Sequence, residues 1–327
     1  AGFTLALFLV LGALVPAGAP LFARQIQVEG RNYIDLATVA GHFGMNAYWL
    51  KGYKTYRLKS QWTTIDFGKN GKVVELNKMP VYLGFPVKES QGRLYVAQAD
   101  FQHVLKSILT PQAFRPRPGL RRIVIDAGHG GKDSGAVNEA YRLQEKQLAL
   151  DVANRLKRLL EQVGYEVIMT RKSDVYIPLD RRPAMANRAN GDLFVSIHFN
   201  AAASSSAHGY ETFALTPQYQ ASSKYPRPTG RDNTRYEGNG QDAWNTLAAY
   251  HLQRALVNRL GGPDRGVKRA RFLVLKHLEC PGVLVELGFM SHAPTAQKLR
   301  GATHRETIAQ ALFEGIVGYR NRLSRIR

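Results

Sequence analysis

Apolar and polar positions follow two different rhythms along this chain. From about residue 24 to 109 the runs are short and of period two: Gln25-Ile26-Gln27-Val28, Thr55-Tyr56-Arg57-Leu58, Thr64-Ile65-Asp66-Phe67, Lys72-Val73-Val74-Glu75-Leu76 and Arg93-Leu94-Tyr95-Val96. Such alternation sets one face of a strand on a core and the other in water. Gly30-Arg31-Asn32, Gly68-Lys69-Asn70-Gly71 and Gln91-Gly92 supply turn chemistry between the runs. Leu36–Phe43 and Ala99–Ile108 read as short helices. The pattern predicts a small, mostly β amino-terminal domain over residues 24–109.

Pro111, Pro116 and Pro118 then break the pattern, and residues 110–120 read as a linker. Over residues 121–327 strands alternate with helices. Arg122–Ile125, Tyr165–Thr170, Leu193–His198, Gly209–Ala214, Phe272–Leu275 and Val283–Glu286 read as strands. Lys146–Val163 carries a helical stripe of Leu148, Val152, Leu156, Leu159 and Leu160, closed by Gly164. Leu179–Ala189, Ala243–Leu260 and Arg305–Leu323 read as further helices. This order predicts an α/β domain with a mostly parallel sheet flanked by helices. Thr216–Asp242 is polar and long for an idle connection, so it reads as a functional flap or a flexible insertion.

Residues 1–23 stand apart. Phe3–Val15 is apolar, short for a membrane span, and followed by Pro16 and the small residues Ala17-Gly18-Ala19, with Ala23 as a second cut site. The stretch reads as a signal peptide or a retained anchor. The working protein is therefore expected outside the cytoplasm, in the periplasm or cell envelope.

With 44% apolar and 21% charged residues, the chain of 327 residues is neither disordered throughout nor a polytopic membrane protein. One Cys excludes an internal disulfide framework and a Cys-based zinc cluster. The 45 basic and 25 acidic residues leave a formal charge of +20, which draws the chain to polyanions but supplies no chemistry.

Sites in open α/β sheets form beyond the carboxyl ends of the strands. Asp126-Ala127-Gly128-His129-Gly130-Gly131 follows one strand, Ser196-Ile197-His198-Phe199-Asn200 ends another, and Val285-Glu286-Leu287-Gly288 ends a third, while Glu145 opens the first long helix. Taken singly, a His at a strand end is more often structural than a ligand, and Glu145 suits the first turn of a helix. Glu286 among Val283, Leu284, Val285, Leu287 and Phe289 is costly to bury unless paired or functional. Taken together, His129 and His198 form an imidazole pair, and Glu145 and Glu286 divide two roles between them, metal ligand and proton shuttle. Two His, one carboxylate and an open position suit catalytic zinc.

The segment Ile123–Ala136, with Asp126-Ala127-Gly128-His129-Gly130-Gly131, resembles the opening motif of the zinc-dependent N-acetylmuramoyl-L-alanine amidases. Glu145-Lys146-Gln147-Leu148, Phe194–Ala201 and Val283–Ser291 resemble that family's later motifs, and Thr170-Arg171, Ala186–Asn190 and Asp264–Lys268 match in order. The resemblance implies Zn2+ on His129, Glu145 and His198, with Glu286 as the catalytic acid/base. It implies hydrolysis of the amide between N-acetylmuramic acid and the L-alanine of the stem peptide, so peptidoglycan is the expected partner. Ala127, Phe199 and His292 stand where the family usually has Pro, Ala and Asn. Some family members carry an inserted helix that blocks zinc until an activator binds, which makes an activator protein a candidate partner. The amino-terminal domain resembles, more faintly, the small domain at the start of copper amine oxidases, through Val28-Glu29-Gly30, Tyr33–Leu36, Leu76-Asn77, Val81-Tyr82-Leu83 and Tyr95-Val96. It reads as a wall-contact or targeting module without a metal. No nucleic-acid module is seen, and a monomer is expected. The rival readings are another zinc amide hydrolase or peptidase on this fold and a non-catalytic binder of anionic envelope polymers.

Overall fold

The structure, a computed structural model, describes residues 25–115 and 119–326. The expected export signal lies outside the described residues, as does part of the linker. Among the described residues, no helix is long and apolar enough to cross a membrane.

The amino-terminal region runs β1 (Gln25–Val28), β2 (Arg31–Asp35), α1 (Leu36–His42), β3 (Asn46–Trp49), β4 (Thr55–Lys59), β5 (Thr64–Gly68), β6 (Val73–Leu76), β7 (Met79–Tyr82), β8 (Lys88–Ser90) and β9 (Arg93–Ala97). The period-two runs fold as their pattern predicts: Ile65 and Phe67 on β5, and Val74 and Leu76 on β6, are buried. Asp35 caps α1 by accepting from the Ala37 N–H at 3.0 Å. The expected helix over Ala99–Ile108 is present, but it runs as α2 (Gln98–Asp100), a π-helical turn and α3 (Lys106–Leu109).

The second region runs β10 (Arg122–Ala127), β11 (Val137–Asn138), β12 (Leu143–Gln144), α4 (Glu145–Gln162), β13 (Glu166–Met169), α5 (Arg181–Arg188), β14 (Leu193–Asn200), β15 (Tyr210–Leu215) and α6 (Asp242–Leu260). It ends with β16 (Asp264–Ala270), α7 (Leu273–Lys276), β17 (Gly282–Phe289), α8 (Ala293–Arg300) and α9 (Ala302–Ser324). β13, β10, β14 and β17 are parallel neighbours. β15 is antiparallel to β17 and parallel to β16. Val283, Val285 and Leu287 of β17 pack in one core with Leu148 and Val152 of α4 and Leu312 and Ile316 of α9.

The two regions share one sheet. β7 pairs with β16 in parallel through Val81 and Val267, giving an 11-stranded order β13-β10-β14-β17-β15-β16-β7-β6-β5-β4-β3. One apolar core runs through both regions. Beyond α3, Phe114 packs edge-on against Trp244 of α6, with ring centroids 6.2 Å apart.

Two local expectations are corrected. Phe272–Leu275 is not a strand; α7 turns there, and the strand is the preceding Asp264–Ala270. That segment is charged and lacks an apolar alternation, so its strand character comes from pairing on both sides with β15 and β7. The segment after Thr216 is neither a flap over the site nor a loose insertion. It leaves β15 at Leu215, and because β15 is antiparallel to β17 that end lies beside the start of β17, away from Glu286. Arg271 holds it there, donating to the carbonyls of Pro217 and Gln220 at 2.9 Å each and pairing with Asp232.

Candidate metal centre

Three of the sequence-derived candidates converge at the carboxyl ends of β10 and β14. His129, Glu145 and His198 each offer a donor atom, and these atoms lie within 4.8 Å of one another. The local sequence explains the approach. His129 and the glycines that follow it take positive φ as the chain turns out of β10. At Gly128 a Cβ would stand 2.4 Å from Cε1 of His198, and at Gly135 it would stand 2.6 Å from both Glu145 Oε2 and His129 Cδ2. Only glycine leaves the rings and the carboxylate this close to backbone.

Glu145 is the hub. Its Oε1 lies 3.0 Å from His129 Nε2 and 2.9 Å from His198 Nδ1, and it accepts from the Phe199 N–H at 3.0 Å. Its Oε2 accepts from the Ala136 N–H at 2.9 Å. Burial alone would raise the Glu145 pKa, but the hydrogen bonds from His129 and His198 overturn this and hold it well below the usual carboxylate range. Burial likewise pulls His129 down, and the Glu145 and Asp133 partners reverse it, raising the imidazole. Asp133 sits 2.9 Å from His129 Nδ1, the nitrogen facing away from Glu145, and so orients the ring.

Glu286 lies one strand away, in register with His198 on β14. Its Oε2 is buried without a hydrogen-bond partner. Its pKa is pushed well up, by burial first, then by Glu145 and Glu211, with Lys268 opposing. A shift in that direction suits a group that takes up a proton and gives it back.

Several residues with a part in the site had no individual role in the sequence reading. Glu211 on β15 stands in register with Glu286. It is held by Arg265 at 2.8 Å, Lys268 at 2.5 Å and Asn200 at 2.8 Å. Arg182, only 1% exposed, pairs with the fully buried Asp126 at 2.8 Å and donates to the carbonyls of Ala127 and His129 at 2.9 Å each. Arg171 donates to the carbonyls of Ala127 at 2.9 Å and Gly128 at 2.8 Å. These two guanidiniums fix the turn that presents His129. Thr170-Arg171 and Asp126 were visible as motif residues. Arg182 carried no local signal beyond being an arginine at a helix start.

The donor set tests well against zinc. Two imidazoles and a carboxylate form a common three-ligand set for a catalytic zinc site. The Glu145 carboxylate set between the His129 and His198 rings also offers a cation an anionic oxygen and ring nitrogens together. Other chemistry-bearing side chains lie elsewhere. Cys280 is buried in a small apolar cluster with Leu278 and Leu284. Tyr219 and Tyr225 are exposed on the segment at the far end of the sheet. His277 pairs with Glu237 there at 2.7 Å.

Comparisons with known proteins match the second region. The N-acetylmuramoyl-L-alanine amidase family matches residues 123–317. The amidase LytC of Bacillus subtilis is 38% identical over 197 residues, covering 60% of this chain and 35% of that protein. The amidase AmiC of Escherichia coli is 35% identical over 242 residues, covering 66% of this chain and 58% of that one. The chain thus spans less than two thirds of either relative. Among solved structures, the catalytic domain of CwlV, an amidase from Bacillus (Paenibacillus) polymyxa, superposes with a TM-score of 0.52 at 29% identity, covering 61% of this chain and 98% of that one. An amidase from Clostridium difficile 630 gives a TM-score of 0.52 at 28% identity, over 62% and 97%.

Proposed function

The chain belongs to this amidase family, and on that premise we propose that it cleaves the amide between N-acetylmuramic acid and the L-alanine of the stem peptide in peptidoglycan. The observation that carries the proposal is the meeting of His129, Glu145 and His198 beside Glu286, whose Oε2 is buried without a hydrogen-bond partner. His129, Glu145 and His198 would hold zinc, which when bound polarises the amide carbonyl and lowers the pKa of a water to about 7.

The protein's own groups do the rest. Glu286 takes the proton of the attacking water and delivers it to the departing alanine nitrogen. Its raised pKa lets it keep that proton between the two transfers. Asp133 keeps the His129 ring in one tautomer, while Arg171 and Arg182 keep the His129 turn from moving. Lys268 and Arg265 hold Glu211, so that two neighbouring carboxylates share enough positive charge to coexist.

The export reading and the role of the amino-terminal domain as a wall-contact module belong to the same proposal. An activator that works by displacing a blocking insert has no target in the segment after Thr216, which sits at the opposite end of the sheet.

The test is digestion of purified sacculi with and without a chelator, read by mass. The expected products are free stem peptides and intact glycan, abolished by the chelator. Cut glycan, or cleavage confined to bonds within the stem peptide, overturns the assignment.

A further inference from the structure

The outer end of the sheet is built unlike the rest of the surface. β3 is its last strand. Trp62, in the turn between β4 and β5, is 81% exposed, and Tyr53, in the turn between β3 and β4, is 69% exposed. Tyr48 on β3 separates two hollows. One, of about 610 Å3, is lined by Asn46, Tyr48, Lys59, Ser60 and Gln61, with no carboxylate. The other, of about 410 Å3, includes Tyr48, Trp49, Tyr56, Gln91 and Arg93. Trp49 anchors this end, edge-on to Tyr56 at 5.1 Å and near Tyr53 at 6.2 Å. An indole this exposed contributes little to the fold, since burying its ring is what would stabilise it.

We propose that this end of the molecule is a second binding site, for the glycan strand of peptidoglycan. The amidase reading enters only in naming the polymer. Pyranose rings present apolar C–H faces that stack on the electron-rich faces of Trp and Tyr. Their hydroxyl and acetamido groups need neutral donors and acceptors, which Asn46, Ser60, Gln61 and Gln91 supply. A polyanion would need a cluster of unpaired cations; Lys59 borders the first hollow, but three further cations here are neutralised. Arg57 forms a fork with Asp66 at 2.7 and 2.6 Å, Arg93 pairs with Asp35 at 2.8 Å, and Lys69 pairs with Glu89 at 2.9 Å.

The site is fixed relative to the metal centre. Seven strand spacings separate β3 from β17 in one continuous sheet, roughly 34 Å measured along it. A short muramoyl peptide filling the catalytic site does not span that distance, whereas a polymer does. The gain is then one of effective concentration on sacculi and not of chemistry.

The experiment uses the full chain and peptide-free glycan strands of alternating N-acetylglucosamine and N-acetylmuramic acid, which hold no bond for an amidase to cut. Binding is followed by co-sedimentation with long strands and by tryptophan emission with short ones. Trp62→Ala and Tyr48→Ala should each weaken binding about tenfold, with circular dichroism and melting unchanged, and Trp62→Phe should retain most of it. Lys54→Glu should bind as the parent does. Equal binding by the parent and both alanine variants overturns the proposal, as does absence of binding by the parent. Loss of binding in Lys54→Glu with retention in Trp62→Ala overturns it in favour of adhesion by charge. Because no cleavage is read, glycan binding by a chain that fails to digest sacculi would sink the amidase reading alone.

Discussion

Charged side chains are buried at both ends of the catalytic strands, and the two ends treat them differently. At the amino ends, Arg269 is 2% exposed and donates to the carbonyls of Leu215 and His103 and to the Thr246 hydroxyl. Arg271 binds Asp232 and two carbonyls, and Asp100, fully buried, accepts the Gly84 and Phe85 N–H groups at 2.6 and 3.0 Å. At the carboxyl ends, Glu145 is shared between two imidazoles and Glu286 has a buried oxygen with no partner. Burying a charge costs several kcal/mol unless partners replace water. The lower cluster has acquired most of those partners, with only the Nε of Arg269 and of Arg271 left over, and Arg269 joins the two regions through the His103 carbonyl. The upper cluster is left incomplete, which is what a site that must take up a cation and a proton requires. A carboxylate oxygen without a partner, standing near three side chains that offer metal donors, is therefore the better guide to function than burial itself.

Removing the incomplete charge should affect catalysis and leave the fold alone. Glu286→Gln is expected to lose about 10²–10⁴-fold in turnover on sacculi, while zinc content stays at the parent's level and melting is unchanged or raised. Near-native turnover in this variant would erase the functional half of the contrast. His129→Ala differs in kind: metal analysis should show zinc lost along with activity.

The lower cluster should respond in the opposite sense. Arg271→Ala leaves Asp232 buried without its cation and should cost about 3–5 kcal/mol in urea denaturation. Turnover per folded molecule should be unaffected. A selective loss of turnover at unchanged stability would mean that the far end of the sheet takes part in the reaction.

The smallest effect is one of pH. Burial pushes the Asp100 carboxyl up to about 6 from an ordinary 3.8. The folded chain therefore holds this proton more tightly than the unfolded one. The stability Asp100 contributes is full below pH 3.8 and is lost as pH rises through about 6. His103 and His251, partly buried and lowered to about 4 chiefly by desolvation, run the other way, their contribution being lost as pH falls from 6.5 towards 4. Two imidazoles oppose one carboxyl in this window, so isolating Asp100 needs the comparison with Asp100→Asn. Between pH 6 and 4 the parent should gain on the order of 1–3 kcal/mol relative to that variant. Equal slopes by denaturation would show that the Asp100 pocket is wetter than its burial implies.

Within the upper site, residues differed in how far they could be read from sequence. His129, His198 and Glu286 announce themselves because chemistry-bearing side chains stand at the ends of largely apolar strands: His129 after Ile123-Val124-Ile125, His198 after Phe194-Val195-Ser196-Ile197, Glu286 after Val283-Leu284-Val285. The leucine stripe of α4 places Glu145 at a helix start in the same way. Nothing comparable marks Glu211 or Arg182. Each is an ordinary charged residue until a neighbouring strand or turn supplies its partner. Asp264–Ala270 shows the same limit, a charged segment made into a strand by two neighbours, while the more apolar Phe272–Leu275 turns as a helix.

What the sequence determined by itself is whatever depends on local order: the periodicities of strands and helices, the glycine-flanked His129, and the identity of the donors. These are short-range properties, set by sterics and by which face of an element meets water. The tertiary structure alone decided the joining of the two regions through β7 and β16, the placing of the segment after Thr216 far from the donors, and the choice of which buried charges go without partners. Those outcomes depend on contacts between residues distant in the chain, and no local pattern encodes which strand will stand beside which.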